Sequence, residues 1–158
     1  MPLTRTEITA RLTKASIEHF VKLRFGVYKE LGLTKGGTLR GDLVCINYRK
    51  KIIVVEVKSS YSDWNADSKW PIYLGFADQL IFVVPQALWD SGKMPIPGRG
   101  AGVMVLSEAT GHLKSVVKAS MLDLDDDTRE SLILRMAFRG DYTKRNVKRR
   151  TRIYLGDN

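Results

Sequence analysis

Cysteines and long apolar runs are nearly absent from this sequence. The single cysteine, Cys45, excludes a disulfide framework and a cysteine-rich zinc site. The longest apolar runs, at 52–55 and 80–85, are far shorter than the roughly 18 apolar residues of a transmembrane helix. The first residues, MPLTRTEITARLTK, also lack the unbroken apolar core of a signal peptide. We therefore expect a cytoplasmic protein with no membrane-spanning segment.

Positive charge is distributed unevenly along the chain. The 158 residues include 26 Lys and Arg against 17 Asp and Glu, a net charge of +9. Seven of the basic residues and only one acidic residue lie between 139 and 152. A basic tail on a nearly balanced body predicts a polyanionic partner, with nucleic acid first and an acidic membrane surface second. A solvated surface that only keeps the protein soluble is the simpler alternative.

The order of the predicted elements indicates one α/β domain over residues 1–140, followed by a basic tail at 141–158. Apolar residues at helical spacing and runs of branched residues distinguish helices from strands. Helices are predicted at 6–24, near 62 with Ser62 or Asp63 as its cap, and over 131–138; strands are predicted at 27–33, 42–47, 51–58, 79–84, 103–106 and 112–117. The glycine-rich and proline-rich segment 92–102 is expected to be a surface loop. This order predicts a mixed sheet flanked by helices.

Two acidic residues and a lysine form the most informative pattern. If residues 42–47 and 51–58 pair as a hairpin about the turn at 48–50, opposed residue numbers sum to about 98, and Asp42 faces Glu56. Because side chains alternate along a strand, Lys58 shares the face of Glu56. Two carboxylates in apolar surroundings need a compensating cation, and Mg²⁺ or Mn²⁺ held by Asp42, Glu56 and the Val57 carbonyl would provide one. The chemistry indicated is metal-assisted phosphodiester hydrolysis.

A structural interpretation of the same residues remains open at this point. Glu56 and Lys58 can form a surface ion pair on an edge strand, with Asp42 serving only to begin the preceding strand. In that case the pattern would carry no chemistry.

The pattern GD(42)…E(56)V(57)K(58) resembles the signature of the PD-(D/E)XK nuclease superfamily, with Gly41 where a proline often stands. The stretch IIVVEVKSSYSDWNADSKWPIYLGFADQLIFVVP is similar to the MmcB-like DNA repair proteins of that superfamily. The resemblance implies a restriction-endonuclease-like core with a mixed central sheet. It also implies that Asp42 and Glu56 bind the metal and that Lys58 is the catalytic lysine.

Further residues are accessory candidates by the same resemblance. Glu18 stands where some members place another acid, although its position on the helix favours a solvated charge. Lys69 with Tyr73 resembles a Gln-x-x-x-Tyr motif, with lysine in place of glutamine. Ala77 replaces the usual cysteine of the family, which suggests packing at that position.

The serine and aspartate residues after the lysine have two interpretations. Asp63 and Asp67 would share a helix face and hold or orient a metal, but capping of a helix by Asp63 is favoured. Ser59 would donate to a scissile phosphate or simply end the strand. Trp64, with Trp70 and Tyr73, is expected to pack in the core rather than stack on bases.

The expected function is a magnesium-dependent endodeoxyribonuclease of DNA repair, recombination or phage DNA processing, with DNA rather than a membrane as its partner. Phosphate contacts are expected from the glycine-rich loop and from the tail. These contacts are assigned to Lys93, Arg99, Lys144, Arg145, Lys148, Arg149 and Arg150. A catalytically inactive DNA-binding module of a repair complex is the main alternative, and an RNA-directed hydrolase is a further one. A homodimer is left open.

Overall fold

A six-stranded sheet runs through the protein and carries helices on both faces. The computed structural model describes residues 1–139, so the predicted tail at 141–158 and its five DNA-contact residues lie outside the described part. The helices are α1 (Arg5–Lys22), α2 (Tyr61–Ala66), a 3-10 helix (Trp70–Phe76), α3 (Gln86–Asp90) and α4 (Asp126–Arg139). The strands are β1 (Gly26–Gly32), β2 (Arg40–Ile46), β3 (Ile52–Val57), β4 (Gln79–Pro85), β5 (Gly102–Leu106) and β6 (Leu113–Val117). None of the helices within residues 1–139 is long and apolar enough to cross a membrane.

The strands lie in sequence order, and the sheet is mixed as predicted. Strands β1, β2 and β3 form an antiparallel meander, β3, β4 and β5 are parallel, and β6 returns antiparallel to β5. In the β2–β3 hairpin Leu43 pairs with Val55 and Ile46 pairs with Ile52. Both pairs sum to 98, so the register expected from the sequence is confirmed. The predicted parts of the chain thus form one sheet with helices on each side.

Each face of the sheet has its own apolar layer, which explains why β3 is buried along its whole length. On one face Leu12 and Phe20 of α1 pack against odd-numbered strand residues such as Leu43. On the other face Leu132 of α4 packs against even-numbered residues such as Phe82. Val44, Ile46, Ile52 and Val54 of β2 and β3 therefore point to the α4 side of the sheet.

The helices begin where the sequence supplies caps, with one correction. Thr4 and Glu7 form a reciprocal capping box at the start of α1. The cap of α2 is Ser60, whose side chain accepts a hydrogen bond from the Asp63 amide, so the prediction of Ser62 or Asp63 as the cap was wrong. Pro71 lies in the first turn of the 3-10 helix, as expected. Helix α3 was not predicted, because five residues give no apolar periodicity to detect.

A buried ion pair fastens α4 to the sheet. Asp78 is 5% exposed and accepts hydrogen bonds from both terminal nitrogens of Arg129 at 2.6 and 2.7 Å. Its Oδ2 also accepts from the amide of Ile52 at 2.7 Å. Arg129 donates in addition to the carbonyl of Lys50, at the tip of the β2–β3 hairpin. One arginine therefore links α4, β4 and the hairpin tip.

Candidate active site

The open end of the β2–β3 hairpin brings two carboxyl groups together. The amide of Asp42 donates to Glu56 Oε1 at 3.1 Å, and the amide of Val57 donates to Asp42 Oδ2 at 2.8 Å. Each carboxyl group thus takes a hydrogen bond from the opposite strand. Besides burial, the charge of Asp42 raises the pKa of Glu56, as expected for neighbouring carboxyl groups. Their juxtaposition follows directly from the register of the hairpin.

A glycine allows the strands to pack tightly beside this pair. Gly41 is buried, and a Cβ atom there would lie 2.9 Å from Cγ2 of Val44 and 3.3 Å from Cγ1 of Val54. A larger residue would push these side chains apart and shift the start of β2. The lack of a side chain at Gly41 therefore allows β2 to keep Asp42 in its place next to β3.

Burial strongly disfavours charge on both carboxyl groups. Glu56 is 4% exposed, and this burial, with the nearby charge of Asp42, raises its pKa to about 8. Burial likewise raises the pKa of Asp42, although the Val57 amide and the Lys58 ammonium oppose the rise. The structure thus holds two acidic groups in an environment that favours a shared proton or a bound cation.

Lys58 is buried beside Asp42 and Glu56, but it forms its ion pair with a third acid. Its Nζ lies 2.6 Å from Oδ2 of Asp67, which follows α2. The strand that precedes Lys58 is central, between β2 and β4, so the surface ion pair of Glu56 and Lys58 on an edge strand is excluded. Asp67 is the partner that sequence reasoning missed, because the backbone turns after α2 and no spacing rule indicates the contact.

Asp63 supports the segment that follows the lysine. Its Oδ2 accepts from the amide and hydroxyl of Ser59 at 3.0 and 3.3 Å, and its Oδ1 accepts from Arg5 at 2.9 Å. Because α2 ends at Ala66, Asp63 and Asp67 do not share a helix face as proposed. Ser59 is buried and held by Asp63, while Asp67 holds the lysine.

Tyr73 closes the cluster on the side of the 3-10 helix. Its hydroxyl donates to the carbonyl of Arg40 at 2.9 Å. Burial, followed by the charges of Glu56, Asp42 and Asp67, raises its pKa. Lys69, by contrast, is exposed at the start of the 3-10 helix, and its amide donates to Asp67.

The neighbouring aromatic residues belong to the core. Trp64 is 8% exposed; its ring stacks at 6.3 Å on that of Trp70, and both contact Phe82 edge to face. The expectation of packing is therefore confirmed for Trp64. Ala77 is fully buried, which agrees with packing at that position.

A groove of about 760 Å³ leads from Asp42 to the surface between α1 and β1. Three threonines of α1, at one side of the helix, line it together with charged residues from both elements. The lining includes Thr6, Thr9, Thr13, Lys29, Glu30 and Glu18. Glu18 is exposed and forms an ion pair with Lys14 at 3.8 Å, as expected for a solvated charge, although it faces the same groove as Asp42.

The remaining candidates lie away from this cluster. Lys93 and Arg99 are exposed in the segment between α3 and β5, which is irregular as predicted, although Met94 and Ala101 within it join the core. Cys45 is fully buried in the apolar layer that packs against α1, and burial raises its pKa to about 12. A thiol of this kind is inert.

The site offers few protein ligands for a metal ion. Within residues 1–139 no group of three or more His, Cys, Asp and Glu side chains is arranged to hold a metal ion. Mg²⁺, however, is usually bound through one or two carboxylates and retains several waters. The carboxyl groups of the half-buried Asp42 and the buried Glu56 fit that donor set.

Similarity to known proteins agrees with this fold. The family model described as DNA repair protein MmcB-like matches residues 3–148. Among solved structures, the chain is similar to SPO1766, a protein of unknown function from Silicibacter pomeroyi. The two have 24% sequence identity and a TM-score of 0.71, and the match covers 88% of each chain, which shows a shared fold. No curated protein matches the chain.

The fold and the site together define a mixed α/β protein with a buried glutamate, a half-buried aspartate and a buried lysine at one end of its central sheet. The chain belongs to the MmcB-like DNA repair protein family. The resemblance to MmcB-like proteins that the sequence indicated is thus confirmed. Membership indicates a role in DNA repair.

Proposed function

We propose that the chain is a metal-dependent endodeoxyribonuclease with a PD-(D/E)XK core. The observation that carries the proposal is the pair of cross-strand hydrogen bonds that holds the carboxyl groups of Asp42 and Glu56 at one end of the hairpin, with Lys58 buried beside them. Burying two acidic groups together is unfavourable for folding unless a cation binds them. Because the chain belongs to a family of DNA repair proteins, DNA is the proposed substrate of this site. The proposed reaction is hydrolysis of an internal phosphodiester bond.

Each residue has a defined role in this reaction. Asp42, Glu56 and the Val57 carbonyl would hold Mg²⁺ or Mn²⁺, and the bound cation would polarise a phosphate and lower the pKa of a water. Lys58 positions the attacking water or stabilises charge at the phosphate. Asp67 orients the lysine, and Ser59 and Asp63 fix the backbone that follows it. Glu18 and the threonines of α1 line the path by which one DNA strand reaches Asp42.

One observation favours a second candidate, a DNA-binding module without catalysis. The ammonium of Lys58 lies 2.6 Å from Asp67, an acid on the side of α2. If this ion pair persists when DNA binds, the lysine is not free to act at a phosphate. The site would then have no catalytic role, and the protein would bind DNA as part of a larger repair complex.

The deciding experiment is a cleavage assay on labelled duplex, single-stranded, flapped and four-way DNAs with Mg²⁺, Mn²⁺ or EDTA. We expect metal-dependent cutting by the wild-type protein and none by Asp42→Asn, Glu56→Gln or Lys58→Ala. The matched control is Asp90→Asn, because Asp90 is exposed at the end of α3 and far along the chain from the site. This variant should cut as the wild type does.

Metal binding is measured separately by titrating Mn²⁺ into the protein without DNA. Asp42→Asn and Glu56→Gln should weaken Mn²⁺ binding, whereas Lys58→Ala should retain it. DNA binding without cutting, equal for wild type and Asp42→Asn, would establish the inactive module instead. Cutting that survives in Lys58→Ala would point to a contaminating nuclease.

A further inference from the structure

The tip of the β2–β3 hairpin presents an aromatic ring that the fold does not use. Tyr48 is the most exposed of the large hydrophobic residues after Met1, at 101% of its reference area. The other aromatic rings near the sheet, such as Trp64, are packed in the core. A fully exposed tyrosine contributes almost nothing to burial of apolar surface. Its presence at this tip therefore needs a different explanation.

The tip is held rigidly in spite of its exposure. The side-chain oxygen of Asn47 accepts from the amides of Arg49 and Lys51, both at 3.0 Å. Arg129 donates to the carbonyl of Lys50 and is itself fixed by the buried Asp78. A preorganised turn loses little conformational freedom when a ligand binds to it. The ring of Tyr48 is thus displayed on a fixed support.

Basic residues follow Tyr48 in the turn and lie at the same end of the sheet, and two of them, Lys50 and Arg24, occupy unfavourable backbone conformations. Lys50 follows Tyr48 with φ of 62°, and Arg24, in the turn before β1, has φ of 66°. Since Gly26 pairs with Ile46, Arg24 lies at the same end of the sheet as the tip. Glycine or asparagine would suit these positions better. The sequence nevertheless places cationic side chains at both.

The cationic surface continues on the α1 side of the sheet. A pocket of about 250 Å³ there has Lys51 and Lys118 among its lining residues, together with His19 and Gln79, and no acidic residue. The acidic residues at the start of α4 lie on the opposite side, next to Arg129. A polyanion therefore meets the tip most favourably from the side of α1.

We propose that the hairpin tip is a nucleic-acid contact site at which Tyr48 stacks on an unpaired base of DNA while Arg24, Arg49 and Lys50 contact the flanking phosphates. An exposed ring among cations on a rigid support is the arrangement that binds single-stranded nucleic acid. The tip lies at the end of the hairpin opposite to Asp42. Tyr48 is six positions along the hairpin from Asp42, a span of about 20 Å at roughly 3.3 Å per position. The tip site takes DNA as partner from the proposed function but is independent of its chemistry.

Binding of a fluorescein-labelled single-stranded oligonucleotide to the full chain, measured by anisotropy in EDTA, tests this site. Tyr48→Ala should weaken binding about 5-fold or more, as expected for loss of one stacked base. Tyr48→Phe should restore affinity close to wild type because the ring is retained. With a blunt duplex, whose bases are already stacked, Tyr48→Ala should have little effect.

Lys50→Gly separates binding from folding. Glycine relieves the left-handed backbone at this position, so the variant should melt at a higher temperature than the wild type. It should nevertheless bind the oligonucleotide more weakly, with a salt dependence reduced by about 0.7 in the slope of log K against log salt. Phe138→Ala is the matched control, since Phe138 is 87% exposed on α4 beside Glu130 and far from the tip. It should bind as the wild type does.

Three results would overturn the tip site: unchanged single-strand affinity in Tyr48→Ala, an equal loss in Tyr48→Phe, or an equal loss with blunt duplex. Failure of the nuclease proposal gives a different pattern. If no DNA is cut but Tyr48→Ala weakens binding, the tip site stands and catalysis fails. If cutting depends on Asp42 while Tyr48→Ala binds normally, catalysis stands and the tip site fails.

Discussion

At the scale of single residues, the contact between Asp42 and Glu56 makes the stability of the metal-free protein depend on pH. The pKa of Glu56 is about 8 in the folded state and 4.5 when the group is in water. Between these values the folded protein binds more protons than the unfolded chain, so the free energy of unfolding must fall as pH rises. We expect a loss on the order of a few kcal/mol from about pH 5 to about pH 8.

Urea unfolding in EDTA across this pH range measures the effect. Glu56→Gln removes the titrating group, so its stability should vary less with pH and exceed that of the wild type near the upper limit. Added Mg²⁺ should stabilise the wild type more than this variant. Glu108→Gln, in the exposed turn between β5 and β6, is the matched control. A wild-type stability that rises with pH would contradict the assignment.

The ion pair of Lys58 and Asp67 gives a second prediction at this scale. Its side chains are 9% and 19% exposed, so Asp67→Asn leaves a mostly buried ammonium without its nearest opposite charge. We expect a loss of about 1–3 kcal/mol in the free energy of unfolding. Lys58→Met combined with Asp67→Asn should cost less than the sum of the two single changes. Additive losses would show that the pair contributes nothing specific.

The residues of the site differ in how far the sequence predicts them. The pairing of Asp42 with Glu56 follows from local rules, since alternation and a short turn fix the register of a hairpin. The contact between Lys58 and Asp67 depends on the backbone path after α2, for which the sequence offers no periodic signal. Asp78 and Arg129 are 51 positions apart, and only the packed fold brings them together.

At the scale of elements, α4 depends on Arg129 for its attachment to the sheet. Burial alone would raise the pKa of Asp78, but the hydrogen bonds from Arg129 and the Ile52 amide hold it below its ordinary value. Arg129→Met should therefore destabilise the protein by about 2–3 kcal/mol at neutral pH, because it leaves a buried carboxylate without its cation. Arg129 stabilises only the ionised form of Asp78, so this loss of stability applies where the Asp78 carboxylate is charged.

The pH dependence distinguishes this pair from simple packing. Since the folded pKa of Asp78 is lowered, the stabilisation is present above about pH 4 and is lost as the pH falls through the folded value. The difference between wild type and Arg129→Met should consequently shrink in acid, measured by urea unfolding. Arg135→Met on the same helix is the control, because Arg135 forms no ion pair within residues 1–139. A pH-independent difference would assign the effect to packing of the side chain.

Strongly patterned elements were predicted well; of the short helices, α2 was expected near residue 62 but with the wrong cap, and α3 was not predicted. The long helix at 6–24 and all six strands appear within a few residues of their predicted bounds, because apolar spacing and branched residues act over many positions. Helices α2 and α3 have six and five residues, too few for a period of 3.6 to show. Their starts are fixed by local hydrogen bonds, such as the cap at Ser60.

At the scale of the whole molecule, basic residues are concentrated in three parts of the chain. These are the hairpin tip around Tyr48, the irregular segment with Lys93 and Arg99, and the tail at 141–158. The pair of carboxyl groups lies within the described domain, away from the tail in sequence. Long-range attraction is therefore expected to bring DNA to the protein through several weak contacts, while the site acts on one phosphate.

The tail prediction concerns how binding depends on salt. Each phosphate contact that a basic residue makes releases counterions, so replacing that residue should reduce the slope of log K against log salt by about 0.9 on duplex DNA. Changing Lys144, Arg145, Lys148, Arg149 and Arg150 to glutamine should lower the slope by as much as about 4.5 and weaken binding on every sequence alike. Lys93→Gln with Arg99→Gln should lower it by at most about 1.8 on the same scale. An unchanged slope in the tail variant, with unfolding at the wild-type temperature, would show that this charge only keeps the protein soluble, because solvated cations that touch no phosphate release no counterions from DNA.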